Sequence, residues 1–418
     1  MRTQKTVFKS FSYLQCDDFA AYLMEMAKKG WHFKQWRVGL VFEKGEPADT
    51  VYAVEVFING SVYDAKPEAH TLEFADYCQA AGWELADAKQ KFCIFRKIRP
   101  DAVEILTPEE RLQNIAKEER KQVLHYLIIS SIYLAMQLLN FGTSFVRHIF
   151  SNIDLFLMLF WVLLWGGTVV RFVHFLFWKQ ASRKKLEEGK PLYFGKKGNT
   201  FIALFNWVAW IGIPLLLVFA LLLLAEKQYI TFGFMVIFSG IITVSSLLIS
   251  KFRPDSDTNQ IIQLAIPMVV FALVIVLMAS IIASDNTLPA YEENAPLVCT
   301  DMGIDVGKVK SADIDGSSSI FGSAMKYWLF YEDVHVHYFV YRSSHSWILD
   351  RVWEDYLPLT QDVTDVTTLW EAEYAAVNDI GVYFVRYPDA VILLALPKGT
   401  VLTPEQIEIA RAALYESR

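Results

Sequence analysis

Five apolar stretches between Val123 and Ala283, each close to 20 residues long, constrain this chain more than any other feature of its sequence. A helix needs about 20 mostly apolar residues to cross the hydrocarbon core of a bilayer. The stretches fall at about 123–141, 154–178, 201–225, 229–250 and 261–283. They account for a hydrophobic content of 54% and a positive mean hydropathy, both above what a soluble domain needs. The first stretch holds Ser130, Ser131 and Gln137, so on its own it also reads as a buried soluble helix. The parity of the charged loops favours a true span.

Lysine and arginine in short loops are retained on the cytoplasmic side. The loop after the second stretch carries Lys179, Arg183, Lys184, Lys185, Lys190, Lys196 and Lys197, and the loop after the fourth carries Lys251 and Arg253. The alternate loops are poor in basic charge, with Arg147 and His148 in one and Lys227 in the other. Five spans with this alternation place the N-terminus inside and the C-terminus outside, in a multi-pass protein of the cell membrane. Arg111, Lys117, Arg120 and Lys121 before the first span agree, as do Asp285, Glu292 and Glu293 after the last. The opening residues MRTQKTVFKSFSY lack the apolar core of a secretory signal, so the expectation is an N-terminus that is not exported.

Each flank is long enough for a domain with its own core. Residues 284–418 hold 21 Asp plus Glu against 9 Lys plus Arg, a net of −12, which leaves +5 for the rest of a chain whose total is −7. An outer domain this acidic repels phosphates, which disfavours nucleic acid as its partner. The four cysteines, Cys16, Cys78, Cys93 and Cys299, form no C-x-x-C pair and suggest neither a disulfide framework nor a cysteine-rich zinc site.

Residues 1–100 contain an internal repeat, in which a helical run ends in Gly-Trp and Phe-x-Lys follows about a dozen residues later. The first copy is AYLMEMAKKGWHF with Phe42-Glu43-Lys44, and the second is FADYCQAAGWEL with Phe95-Arg96-Lys97. Phe19, Leu23, Met26 and Ala27 fall on one helical face, with Gly30 as the C-cap where positive φ is cheap. Segments 5–13, 33–42, 50–57 and 84–97 are rich in β-branched and aromatic residues. The expectation is a small α+β domain of ferredoxin-like character.

At Met26 to Trp31, Phe42 to Pro47, Ala81 to Glu84 and Phe95 to Lys97 the sequence resembles the domain of unknown function 2812 family of bacterial membrane proteins. The resemblance covers about the first 100 residues. It implies a shared fold and a membrane context with no assigned activity, and a genetic association with transcriptional regulators of the PadR type.

Sites of chemistry are sparse. His335 and His337 alternate on a strand reading Asp-Val-His-Val-His-Tyr-Phe, so they share one face as paired metal ligands can, but a third ligand such as His345 is still needed. The simpler reading is a solvent-facing strand side. The run from Gly189 to Lys197 has five residues between its glycines and Lys197 where a phosphate-binding loop needs Ser or Thr, and Asp313-Ile314-Asp315-Gly316 lacks the ligand spacing of a calcium loop. Neither a nucleophile elbow nor a catalytic triad can be singled out by spacing. No cofactor is indicated. Arg183, Lys184, Lys185, Lys196 and Lys197 read as anchors on anionic lipid, and Arg171, in the inner half of the second span, as a side chain reaching for the headgroups.

The expected architecture is therefore an α+β cytoplasmic domain (1–100), a helical linker of mixed charge (101–122), a five-helix transmembrane bundle (123–283) and an acidic α+β extracytoplasmic domain (284–418). Its expected role is a sensor or interaction protein that meets a ligand or protein outside and communicates with the inner domain. The alternative is a permease-like transport component or accessory subunit, although the spans carry no mid-span acid and no evident duplicated half.

Overall fold

In the computed structural model, which describes residues 3–195, 214–225, 228–284, 295–356 and 363–416 except the side chains of 274 and 277–284, the N-terminal domain is a duplicated β-α-β-β unit. The first copy comprises β1 (Gln4–Val7), α1 (Cys16–Lys28), β2 (Trp31–Trp36) and β3 (Leu40–Lys44). The second comprises β4 (Tyr52–Val56), α2 (Ala69–Ala80), β5 (Trp83–Lys89) and β6 (Phe92–Lys97). The two antiparallel sheets have equivalent orders, β1-β3-β2 and β4-β6-β5. The likeness extends to register. Trp31 stands opposite Lys44 as Trp83 stands opposite Lys97, and each pairing slips once, between Phe33 and Gln35 and between Leu85 and Asp87.

The Gly-Trp signature has a backbone cause. Gly30 (φ 73°) and Gly82 (φ 94°) each turn the chain sharply from helix into strand, and a Cβ on Gly30 would stand 2.7 Å from the carbonyl oxygen of Gly45. The ferredoxin-like expectation, which implies a single four-stranded sheet, gives way to two three-stranded sheets. The segments 33–42 and 84–97 are each a hairpin rather than one strand, and the second turns at Gln90, a residue with φ 55° that carries no glycine or proline signal. Phe19, Leu23, Phe42, Val54, Phe92 and Ile94 fill the core between α1 and the sheets.

Three helices among the described residues are long and apolar enough to cross a membrane: α3 (Pro108–Thr143), α5 (Asn152–Glu187) and α7 (Tyr229–Phe252). A 36-residue helix is about 54 Å long at 1.5 Å per residue, well beyond a bilayer core of roughly 30 Å, so α3 and α5 each carry a polar extension. None of the residues of α7 is buried, and Leu163, Phe177, Ile237 and Leu247 are among the large apolar side chains exposed on α5 and α7. Water-soluble surfaces rarely expose contiguous apolar area on this scale. A shorter apolar helix, α6 (Pro214–Ala225), covers the end of the third expected span, whose start at 201–213 lies outside the described residues. The last expected span falls within α8 (Ser256–Ser284), a continuous helix that carries Pro267 inside it.

The chain divides into two compact units, Met1–Ala135 with Phe160–Val276, and Met136–Leu159 with Leu277–Arg418. The second is built on a seven-stranded antiparallel sheet in the order β10-β11-β12-β13-β9-β8-β7. Its strands are β7 (Ser311–Ser319), β8 (Gly322–Phe330), β9 (His335–Arg342), β10 (Val363–Asp365), β11 (Tyr374–Asn378), β12 (Val382–Arg386) and β13 (Ala390–Ala395). Strand β13 is buried along its whole length and serves both faces. Ile392 and Leu394 join a core closed by α11 (Pro404–Arg411), and Val391 joins one closed by α9 (Ser346–Tyr356). A capping box opens α11, with Thr403 Oγ1 accepting from the Gln406 amide and Pro404 at the first helical position.

The α9 face also takes in the chain between α3 and α5, where α4 (Phe145–Ile149) leads to the fully buried Phe150. Phe150 lies 5.8 Å from the ring of Tyr341, Ser319 Oγ donates to the Ile149 carbonyl at 2.7 Å, and Asn152 Nδ2 donates to the Ser318 carbonyl at 3.0 Å. What the sequence presents as a short loop at 142–153 is a structural part of the C-terminal domain. All four cysteines are free and buried.

Candidate functional site

The buried polar chemistry of the first unit concentrates where the N-terminal domain meets the connectors between the long helices. Arg111, one turn into α3, donates from Nε to Glu55 Oε2 at 2.8 Å and from Nη2 to Asp17 Oδ1 at 2.9 Å. Asp17 sits in the first turn of α1, where the helix dipole favours a carboxylate. Its second oxygen accepts from the Phe194 amide at 2.7 Å, and its own amide donates to the Phe194 carbonyl at 2.9 Å. The Arg111 guanidinium lies 5.1 Å from the centre of the Phe194 ring, and Tyr193 donates to Asp18 at 2.9 Å. The connector after α5 is thereby latched to the start of α1.

Burial pushes the Glu55 carboxyl up to about 7, against the opposing pull of Arg111. An acid whose folded value lies above its ordinary 4.5 holds its proton in the folded chain where the unfolded chain releases it. Stability from this group is thus greatest below about 4.5 and falls as pH rises to about 7, by an upper bound of roughly 3 kcal/mol. The expected result for Glu55→Gln is loss of that slope, read as the difference in melting temperature between pH 5 and pH 8 for the full-length wild type and variant.

A second latch forms at the other connector. Arg253 caps α7 in the left-handed conformation, with φ 51°. It donates to the carbonyls of Ala65 at 2.6 Å and Ala88 at 3.1 Å, and pairs with Asp87 Oδ1 at 2.7 Å. Asp87 also accepts from the Trp36 amide at 2.6 Å, so one carboxylate ties β5, β2 and the connector together. Asn259 of α8 donates to the Tyr63 carbonyl. Two further buried pairs fasten α3, Lys91 with Glu118 at 2.9 Å and Arg171 with Glu119 at 2.7 Å.

Between the second β-α-β-β copy and α7 and α8 lies a cavity of about 330 Å³. Its walls combine Trp36, Ile249 and Ile262 with the polar Ser245, Asn259 and Gln263. Pro267, also at the wall, has no amide hydrogen, which leaves the Gln263 carbonyl without its usual helical donor. Asp64 lines the cavity too, buried, with one oxygen bonded to the Ser61 amide and the other without a hydrogen bond among the described residues. This mixture suits a small amphipathic molecule.

Residues 15–128 match the family model described as protein of unknown function (DUF2812). No curated protein and no solved structure matches the chain. The DUF2812 segment runs from the start of α1 into the apolar part of α3, further than the 100 residues that carry the sequence resemblance. It supplies Asp17, Glu55, Asp87 and Arg111, whereas Phe194 and Arg253 come from outside it. Both latches therefore join the DUF2812 segment to a part of the chain that the family model does not cover.

The residues singled out in the sequence fall elsewhere. Arg183, Lys184 and Lys185 lie exposed on the last turns of α5, with Lys184 4.0 Å from Glu188. Lys196 and Lys197 lie outside the described residues. Arg171, read as a headgroup anchor, pairs with Glu119 and also donates to Gln122 at 3.1 Å. His335 and His337 are both on β9, opposite Phe330 and Trp328. Burial lowers the His337 pKa, with a smaller contribution from His335. His345 sits at the ring of Phe321, and no group of three or more His, Cys, Asp or Glu able to hold a metal occurs among the described residues. The latches had a local signal that sequence reasoning passed over, an acid inside an apolar strand at Glu55 in Tyr-Ala-Val-Glu-Val.

Proposed function

We propose that this chain is a five-span protein of the cell membrane that holds its DUF2812 segment in the cytoplasm and its acidic C-terminal domain outside, and that it acts as a sensor or interaction protein. The observation that carries the reading is the pair of latches, Arg111 with Asp17, Glu55 and Phe194, and Arg253 with Asp87. Charges paired and desolvated in this way hold one geometry, so a shift of α5 or α7 has to move the DUF2812 segment or break a buried ion pair. The basic charge of the connectors after α5 and α7 supports the cytoplasmic assignment. The net charge of −12 over residues 284–418 suits a domain that meets a cationic or polar ligand or protein outside.

A transport role is the second reading, favoured by the cavity beside Ser245, Asn259 and Gln263. The experiment fuses reporters active only inside or only outside the cell after residue 120, in the connector 179–200 and after residue 418. The sensor reading expects inside, inside and outside. A C-terminus found inside removes it, and flux of a solute through proteoliposomes that depends on the cavity residues replaces it with transport.

A further inference from the structure

The polar extensions of α3 and α5 run side by side. As residue number rises along α3, its α5 neighbour falls, from Glu119 with Arg171 to Ser131 with Trp165 and Tyr133 with Trp161, so the helices are antiparallel. Beyond the apolar part they leave a groove of about 450 Å³. Its floor is apolar, from Leu112, Ala116 and Leu186. Its charges are sorted along its length. Lys117, Arg120, Lys179 and Arg183 stand at the end next to the apolar runs, which begin near Val123 and end near Trp178, while Glu109 and Glu187 stand at the far end.

The four cations, of which Lys117, Arg120 and Arg183 are exposed, differ from the more deeply set cations of this unit. Arg111, Lys91, Arg171 and Arg253 each face a carboxylate within 2.9 Å, whereas Lys117, Arg120, Lys179 and Arg183 make no ion pair among the described residues. Four like charges converging on one groove repel each other, and an anion seated between them relieves the repulsion. Their level along the helices, within about two turns of the apolar runs, is that of lipid headgroups if α3 and α5 span the bilayer. The apolar floor leads from the charges along both helices.

We propose that this groove binds the phosphate headgroup of an anionic phospholipid from the leaflet on the side of the DUF2812 segment. The proposal rests on the membrane reading above. Lipid bound there would bridge α3 and α5 at the point where they leave the bilayer, next to the Arg111 latch on α3.

The test uses the full-length protein, first floated with vesicles of phosphatidylcholine containing phosphatidylglycerol, then purified in mild detergent and offered phosphatidylglycerol, phosphatidylcholine or inorganic phosphate, with retained lipid counted by native mass spectrometry. The expected result is selective retention of phosphatidylglycerol, reduced roughly tenfold or more in Arg120→Gln/Arg183→Gln. Lys28→Gln/Lys44→Gln removes the same charge from exposed positions of the DUF2812 segment outside the groove and should leave retention unchanged. Equal loss in both double variants, or equal retention of the two lipids, overturns the proposal while leaving the membrane reading intact. Displacement of the lipid by inorganic phosphate at equal concentration overturns the lipid assignment in favour of a free anion. Failure of the wild type to float overturns both readings together.

Discussion

Arg111→Ala should destabilise the N-terminal domain by about 3 kcal/mol or more, because it leaves two carboxylates facing each other with no cation between them. Glu55 is 5% exposed and has no other positively charged partner among the described residues, and Asp17 loses one of its three contacts. Loss of the guanidinium beside Phe194 adds about 0.5–2 kcal/mol. The cost should be smaller at pH 5 than at pH 8, since a protonated Glu55 needs no counter-charge. Chemical unfolding of the full chain in detergent at the two pH values provides the measurement. A loss under 1 kcal/mol at pH 8 would mean that the buried cluster contributes nothing beyond what apolar packing would supply.

Arg253→Ala should cost about 2–4 kcal/mol and release a different part of the chain. It removes one ion pair and two hydrogen bonds to carbonyls, but Asp87 keeps the Trp36 amide, so the remaining charge is less exposed to penalty than Glu55. Hydrogen exchange separates the two variants. Arg253→Ala should raise exchange at the end of α7 and in β5 and leave α1 protected, whereas Arg111→Ala should do the reverse. Losses that add in the double variant would make the latches independent, and a loss smaller than the sum would show that they hold one cooperative element.

The parts of this chain that were legible in advance are those in which one residue decides a local event. Gly30 and Gly82 mark helix ends because few other residues adopt their φ cheaply, and the duplicated register around Trp31 and Trp83 follows from them. Thr403 and Pro404 announce α11 for the same kind of reason. The α3, α5 and α7 runs were visible through length and apolarity alone. The hairpin turn at Gln90 was not, because glutamine carries no turn preference to read. Nor was the role of 142–153, since only the folded sheet reveals that Phe150 is core. The latches join residues 56 to 188 positions apart, and a charge count cannot distinguish an arginine that marks topology from one that is buried against a carboxylate.

The buried state of all four cysteines makes the native chain chemically quiet toward thiol reagents. A single cysteine placed on an exposed surface would then be the dominant target of a maleimide label, with no background mutations needed. Distances between such labels could be followed in the otherwise unaltered protein, in the bilayer, while candidate ligands are added from either side.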